Sequence, residues 1–230
     1  MTTSLILGVL LIFTSVSNGS PNMGHVTGKV TVFQKKLFGK LKKKNDMSGV
    51  VVYITGFKSA APKEVPDIVQ KDKRFSPNIL PVVAGQKVRF PNYDKIYHNV
   101  FSISPIKSFD LGQYKGSEPP KLVTFEKSGL VPVYCNIHPE MLTYVVVLEN
   151  TAYALTDKDG TFRIKDLPPG AYTLNVWLPK AKRVSQEIQI QSGQEIEVHL
   201  KLKELLKIKP HKRKNGSDYP PEEEMTIYED

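Results

Sequence analysis

Residues 134–141 read YCNIHPEM and hold the one cysteine of this 230-residue chain. Their spacing is C-x2-H-x2-M, and they follow directly on an apolar segment that predicts a β-strand. Upstream, His98 lies in the sequence YHNV, which opens a second predicted strand. A loop between paired strands can bring Cys135, His138 and Met141 together, and a neighbouring strand can add His98. The stretch therefore predicts a β-sandwich or β-barrel with four clustered side chains.

The chemistry of these four side chains points to a redox-active metal. Two imidazoles, a thiolate and a thioether form the ligand set of a type 1 copper site. Thiolate and thioether stabilise Cu(I), imidazoles suit Cu(II), and a fixed intermediate geometry lets the ion change oxidation state with little rearrangement. Four protein ligands leave no open position for a substrate. We therefore expect one copper ion, electron transfer, and no enzymatic reaction.

Other interpretations of the same residues stay open. Cys135 could be a small buried hydrophobic side chain, and Met141 could be ordinary core packing. Zinc accepts the same nitrogen and sulfur donors, so a structural zinc site is a further alternative. A Cys–His nucleophile pair is disfavoured, since no pattern of an orienting Asp or Asn is evident.

The rest of the chain shows short strands and no sustained helical periodicity. Residues 26–33 and 49–54 predict strands, and further short strands recur over 75–148, separated by turn residues that include Gly112 and Gly116. Near residue 150 the pattern changes to Asp-Gly and Pro-Pro-Gly turns between alternating strands. With 15 Gly and 17 Pro, the sequence predicts an all-β protein of two units.

The motifs resemble two known families. Residues about 75–148 resemble a cupredoxin of the plastocyanin, pseudoazurin and amicyanin branch, and the short Cys-x-x-His-Pro-x-Met loop is most like that of amicyanin. The longer pattern that begins at residues 71–75 is similar to bacterial proteins called methylamine utilization protein-like. Residues 151–202 are similar to the carboxypeptidase regulatory-like, or transthyretin-like, module.

The resemblance implies a fold and a domain order. The fold is a cupredoxin Greek-key sandwich followed by a small transthyretin-like β-sandwich. The expected ranges are a signal peptide over 1–20, a cupredoxin domain over 21–150, a regulatory-like β-sandwich over 151–203, and a disordered charged tail over 204–230.

The resemblance also assigns roles to individual residues. It implies copper ligands at His98, Cys135, His138 and Met141. Asn99 resembles the asparagine that hydrogen-bonds across to the cysteine loop and locks it. Pro139 has no N–H and cannot donate to the thiolate. We expect electrons to enter or leave through an exposed edge of His138.

The first residues predict export. Residues 1–20 carry no charged side chain, and 5–13 form an apolar run of nine residues followed by small polar residues. This pattern is typical of a cleaved secretory signal peptide, and it is shorter than the roughly 20 apolar residues that span a bilayer. We therefore expect a periplasmic or secreted protein without stable membrane insertion.

The net charge of +9 is concentrated in two basic clusters, within 35–44 and 201–214. They would suit docking to an acidic redox partner or to an anionic membrane surface, but a solvated loop and a solvated tail are the simpler explanation. Nucleic acid is a poor candidate, because export argues against it and no RNP-type or zinc-finger pattern is present. A copper carrier without a shuttle role and a non-redox binding or adhesion module remain as alternative functions.

Overall fold

The computed structural model describes residues 22–35, 40–205 and 211–221. In these residues the chain forms β-strands and no helix, so the predicted all-β class is confirmed. The strands are β1 (Gly24–Lys35), β2 (Leu41–Lys43), β3 (Val51–Thr55), β4 (Val69–Lys71), β5 (Arg74–Ser76), β6 (Ile79–Val83), β7 (Gln86–Phe90), β8 (His98–Ile103), β9 (Ser108–Tyr114), β10 (Lys121–Phe125), β11 (Gly129–Cys135), β12 (Leu142–Leu148), β13 (Tyr153–Leu155), β14 (Thr161–Leu167), β15 (Gly170–Trp177), β16 (Val184–Ile190) and β17 (Glu195–Glu204).

Strands β4–β12 form one unit, which we call the inserted unit. Its main sheet has the order β6-β12-β11-β8-β9, and β7 pairs with β10 in a second sheet. One buried cluster contains Phe90 and Phe125 from the second sheet together with Val100 and Val133 from the first. Because side chains alternate between the two faces of a strand, each sheet supplies every second residue to this core. The unit is therefore a two-layer sandwich.

Strands β1–β3 and β13–β17 form the other unit, which we call the flanking unit. One sheet has the order β14-β1-β17, with β2 paired to β1, and the other has the order β13-β3-β15-β16. Val30, Ile54, Leu174 and Leu202 are buried in its common core. A smaller cluster, with Val51 on β3 and Val146 and Leu148 on β12, packs between the two units.

The pairing of the N-terminal strands differs from the predicted domain boundary at residue 150. Residues 26–70 were assigned to the first domain, but β1 runs parallel to β17 and antiparallel to β14, and β3 lies between β13 and β15. The alternating pattern of β1 predicts one buried face without indicating which strand will cover it. The flanking unit is therefore discontinuous in sequence, and the other unit is inserted between β3 and β13.

The two ends of the insertion lie side by side. Tyr53 pairs with Tyr153 across β3 and β13. The buried amide of Asn150 donates to the carbonyls of Ile54 at 3.1 Å and Phe57 at 2.9 Å, and its Oδ1 accepts the Ala152 amide at 2.9 Å. Neighbouring ends allow a whole unit to be inserted without separating the strands on either side.

The end of the chain also differs from expectation. The range 204–230 was predicted as a disordered charged tail, but residue 204 belongs to β17 and residues 211–221 lie against the loop that follows β11. Composition predicts disorder from a low apolar content and does not register contacts made by single aromatic rings. Residues 206–210, residues 222–230 and the predicted signal peptide lie outside the described residues. Where the chain is described, no helix has the length and apolarity needed to cross a membrane.

Candidate metal centre

Two neighbouring strands position the candidate ligands. His98 is the first residue of β8 and Cys135 is the last residue of β11. The strands are antiparallel, with Cys135 opposite Val100, so the cysteine lies beside the start of β8. His138 and Met141 lie in the loop between β11 and β12. Local strand pairing thus brings together residues that are 37 positions apart.

Three of the four predicted ligands converge through their donor atoms. Nδ1 of His98 lies 3.1 Å from Nδ1 of His138, and Cys135 Sγ lies 4.0 Å and 3.7 Å from these two nitrogens. All three residues are buried. Nitrogen and sulfur ligands roughly 2.0–2.3 Å from a common ion lie roughly 3.3–3.8 Å from one another. The observed triangle is within a few tenths of an ångström of these separations, so the three residues fit a metal ion.

Asp94 fixes the orientation and the tautomer of His98. Its Oδ2 lies 2.8 Å from His98 Nε2, and the carboxylate also accepts the backbone amides of Asp72 and Lys73. Because an ionised carboxylate only accepts, the Nε2 atom carries the proton and the Nδ1 lone pair faces the cluster. This carboxylate–histidine arrangement is typical of metal-ligating histidines.

The electrostatics support a neutral imidazole beside a charged carboxylate. Burial lowers the pKa of His98, and the nearby Asp94 only partly offsets it. Burial alone would raise the pKa of Asp94, but hydrogen bonds from His98, Lys73 and Asp72 outweigh it and leave that pKa below its ordinary value. His98 can therefore present a lone pair at neutral pH, which is the form that binds a metal.

The sulfur of Cys135 is buried among backbone amides. The N–H groups of Ile137 and His138 each donate to Sγ at 3.4 Å, and the Asn99 amide also hydrogen-bonds to it. Burial raises the pKa of the Cys135 thiol, and these amides offset the effect only in part. A metal cation would remove the thiol proton, since a coordinating thiol is deprotonated. Two imidazole lone pairs and a sulfur at such short separations need a proton or a cation between them.

The ligand loop is closed by its own backbone. The Cys135 amide donates to the Met141 carbonyl at 3.1 Å, and the Met141 amide donates to the His138 carbonyl at 3.2 Å. Met141 is fully buried in the same core cluster as Cys135. The loop thus has a defined conformation, and its methionine faces the inserted unit's interior.

Some residue roles differ from those expected from the sequence. Asn99 was expected to reach the cysteine loop with its side chain; instead its Nδ2 donates to Asp110 Oδ1 at 2.6 Å, and its backbone makes the contacts with the loop. His138 was expected to present an exposed edge, but it is only 3% exposed. Pro139 is partly buried, and its carbonyl interacts with the ring of His211.

Two features of the site were absent from the sequence-based prediction. Asp94 lies four positions before His98, and an acidic residue near a candidate ligand is a signal that could have identified it. The contacts of residues 211–221 with the ligand loop carry no local sequence signal, because they depend on a segment more than 70 positions downstream.

A family model describes the C-terminal part of the chain. Residues 143–203 match the carboxypeptidase regulatory-like domain. The match begins in β12 of the inserted unit and extends through β13–β16 to most of β17 in the flanking unit. No curated protein matches the chain.

Several solved structures of cupredoxins are similar to part of the chain. Amicyanin from Paracoccus versutus is 20% identical, over 42% of this chain and 98% of that one, with a TM-score of 0.34. The purple cupredoxin from Nitrosopumilus maritimus is 24% identical, over 37% and 100% of the two chains, with a TM-score of 0.33. The Cu-containing nitrite reductase from Thermus scotoductus SA-01 is 25% identical, over 41% and 24%, with a TM-score of 0.35.

The family model confirms the resemblance to the carboxypeptidase regulatory-like module, and the similar solved structures are cupredoxins. At TM-scores of 0.33 to 0.35 the structural similarity is partial. The assignment of the candidate metal centre is therefore based on the geometry of the residues that form it.

Proposed function

We propose that the protein is an exported type 1 copper protein that carries single electrons between redox partners. The observation that supports this best is the buried triangle of His98 Nδ1, His138 Nδ1 and Cys135 Sγ, with sides of 3.1, 3.7 and 4.0 Å. Met141, fully buried beside Cys135, is the proposed axial ligand. Thiolate and imidazole donors in one small site suit copper in both oxidation states.

When bound, copper supplies a one-electron couple, and the residues of this chain hold the site in one geometry. Asp94 holds His98 through Nε2, and the amides of Ile137 and His138 direct their N–H groups at the sulfur. Burial of all three donors excludes water, so little rearrangement accompanies a change of charge. A rigid, dry site without a substrate position favours electron transfer over substrate chemistry.

The first experiment is an absorption spectrum after Cu(II) is added to the purified protein. The wild type is expected to show an intense visible thiolate-to-copper band, and Cys135→Ser is expected to lose it. His98→Ala should weaken or abolish the band, whereas His199→Ala, which changes an exposed histidine outside the site, should leave it unchanged. A colourless wild-type protein would rule out type 1 copper and leave zinc or a metal-free core as the explanation.

A second experiment separates an electron shuttle from a copper carrier. Reversible voltammetry with fast self-exchange is expected for a shuttle, while a carrier should release copper readily to a chelator and show slow electron exchange. The partner that we propose is an acidic redox protein, because Lys214, the last of three consecutive basic residues, contacts Asn136 of the ligand loop. Reduction of the copper by such a partner should slow as the ionic strength rises.

A further inference from the structure

The C-terminal segment 211–221 contacts three consecutive residues at the end of β11. The Tyr219 hydroxyl donates to the Cys135 carbonyl, and the Lys214 amide donates to Asn136 Oδ1 at 2.8 Å. The ring of His211 lies on Tyr134 with 4.5 Å between centroids. The segment thus holds the backbone of a proposed ligand and both of its neighbours.

The same segment closes a ring of hydrogen bonds that joins both ligand-bearing strands. Asn136 N–H donates to the Asn99 carbonyl at 3.0 Å, and Asn99 Nδ2 donates to Asp110 Oδ1 at 2.6 Å. Lys214 Nζ binds Asp110 Oδ2 at 2.5 Å, and the Lys214 amide returns to Asn136. Asn99 and Asn136 each directly follow a proposed ligand in the sequence. Without Lys214, the bonds from Asn136 to Asn99 and from Asn99 to Asp110 would remain, and nothing in this ring would connect Asp110 back to Asn136.

The two asparagines of this ring are buried, whereas Lys214 and Asp110 form their ion pair at the exposed surface. Asn99 is 1% exposed and Asn136 is 9% exposed, so both strand segments are fixed within the protein. Tyr219 is partly buried, and its oxygen also lies 3.1 Å from His211 Nδ1. The segment is therefore anchored by one aromatic contact and by polar contacts. These contacts are made with residues 134–136, where the ligand loop begins.

We propose that residues 211–221 act as a clamp that holds the ligand loop of Cys135 against β8 and so slows metal release, with Lys214 and Tyr219 as its positioning residues. The inference rests on the proposed metal site, but the clamp acts on the loop itself. A ligand loop must open at one side before a buried ion can leave. Groups that hold ligands in place contribute to metal affinity even though they do not touch the metal.

The test compares variants of the full-length chain. Tyr219→Phe removes only the hydroxyl, and Lys214→Ala removes the ammonium but keeps the backbone amide. Lys214→Arg keeps a cation that can reach Asp110 and should restore wild-type behaviour. Lys212→Ala is the matched control, since Lys212 pairs with Asp218 on the exposed surface of the same segment.

The first measurement uses metal-free protein and amide hydrogen exchange over residues 135–141. Tyr219→Phe and Lys214→Ala are expected to speed exchange in this loop, and the double variant should speed it most. Lys212→Ala and Lys214→Arg should match the wild type. Loop exchange that is unchanged in the double variant would overturn the clamp, whether or not the protein binds copper.

The second measurement follows metal transfer from copper-loaded or zinc-loaded protein to an excess of chelator. The double variant is expected to release metal about tenfold faster than the wild type. Equal release rates in the double variant and the wild type would contradict the clamp. A wild-type protein that takes up neither metal would refute the proposed function, and the exchange measurement would still decide on the clamp.

Discussion

Removing the carboxylate that holds His98 should weaken metal binding by a predictable amount. Oδ2 of Asp94 lies 2.8 Å from His98 Nε2 and 3.1 Å from the Lys73 amide, while Oδ1 accepts the Asp72 amide at 2.8 Å. An asparagine can keep its oxygen at the Oδ2 position, but its NH₂ group then faces the Asp72 amide. Asp94→Asn therefore keeps the histidine tautomer and loses both one hydrogen bond and the negative charge.

The size of the effect follows from what each variant loses. Partners of metal-ligating histidines typically contribute 10- to 100-fold to metal affinity. We expect Asp94→Asn to weaken binding by about tenfold, or about 1.4 kcal/mol. Asp94→Ala loses all three hydrogen bonds and leaves the ring of His98 free to change tautomer. It should weaken binding by about 100-fold, or about 2.7 kcal/mol.

The assay is a competition titration of Cu(II) and Zn(II) against a chelator at neutral pH, with urea unfolding of each metal-free variant as a check on stability. Glu126→Gln is the matched control, because Glu126 forms an exposed ion pair with Lys107. Its affinity should equal that of the wild type. If Asp94→Ala binds both metals as tightly as the wild type does, His98 is not a ligand held by this carboxylate.

Three further predictions concern stability. Gly160→Ala should destabilise the fold by about 1–3 kcal/mol in urea unfolding, because its φ is +82° and a Cβ would lie 2.2 Å from the Val30 carbonyl oxygen. Gly49→Ala is the control: its φ is +76°, but its Cβ would lie in open space, so the loss of stability should be smaller. Asn150→Ala removes three hydrogen bonds where the insertion begins and ends, two of them to the carbonyls of Ile54 and Phe57, and should cost about 1–3 kcal/mol by the same assay. Burial raises the pKa of Tyr114, so its neutral phenol stabilises the folded state below about pH 10 and this contribution falls as the pH rises further. Tyr114→Phe should therefore reduce the loss of stability between about pH 9 and about pH 11, and an unchanged slope would contradict this.

The candidate site was largely predictable because its residues are concentrated in a short pattern. Cys135, His138 and Met141 lie within seven residues, and a turn between two strands necessarily brings them near one another. His98 could be added because it supplies an imidazole at the start of a neighbouring predicted strand. Its carboxylate partner, Asp94, was not predictable from the ligand pattern, because Asp94 hydrogen-bonds to the far side of the His98 ring and is not itself one of the clustered donors.

The strand pairing was less predictable because it depends on distant parts of the chain. The alternation in β1 shows that one face is buried, but β17, its parallel partner, lies about 170 positions away. Strand β9 was not predicted, because Gly112 and Gly116 indicated turns. In the structure Gly112 lies within the strand, and Gly116 follows its end. Its pattern has one fully buried residue, Tyr114, so the periodic signal is weak.

The insertion explains how a rigid ligand loop and a separate sandwich can coexist in one chain. The two ends of the insertion lie side by side in the flanking unit, where Tyr53 pairs with Tyr153. The described strands of the inserted unit pair only with one another, so this unit can form its own core. That core contains Cys135 and Met141, and the loop between them is fixed by backbone hydrogen bonds at both ends. We therefore expect folding alone to place the candidate ligands, before any metal binds. Because a thiol must lose its proton to coordinate, metal uptake should release a proton and should strengthen as the pH rises.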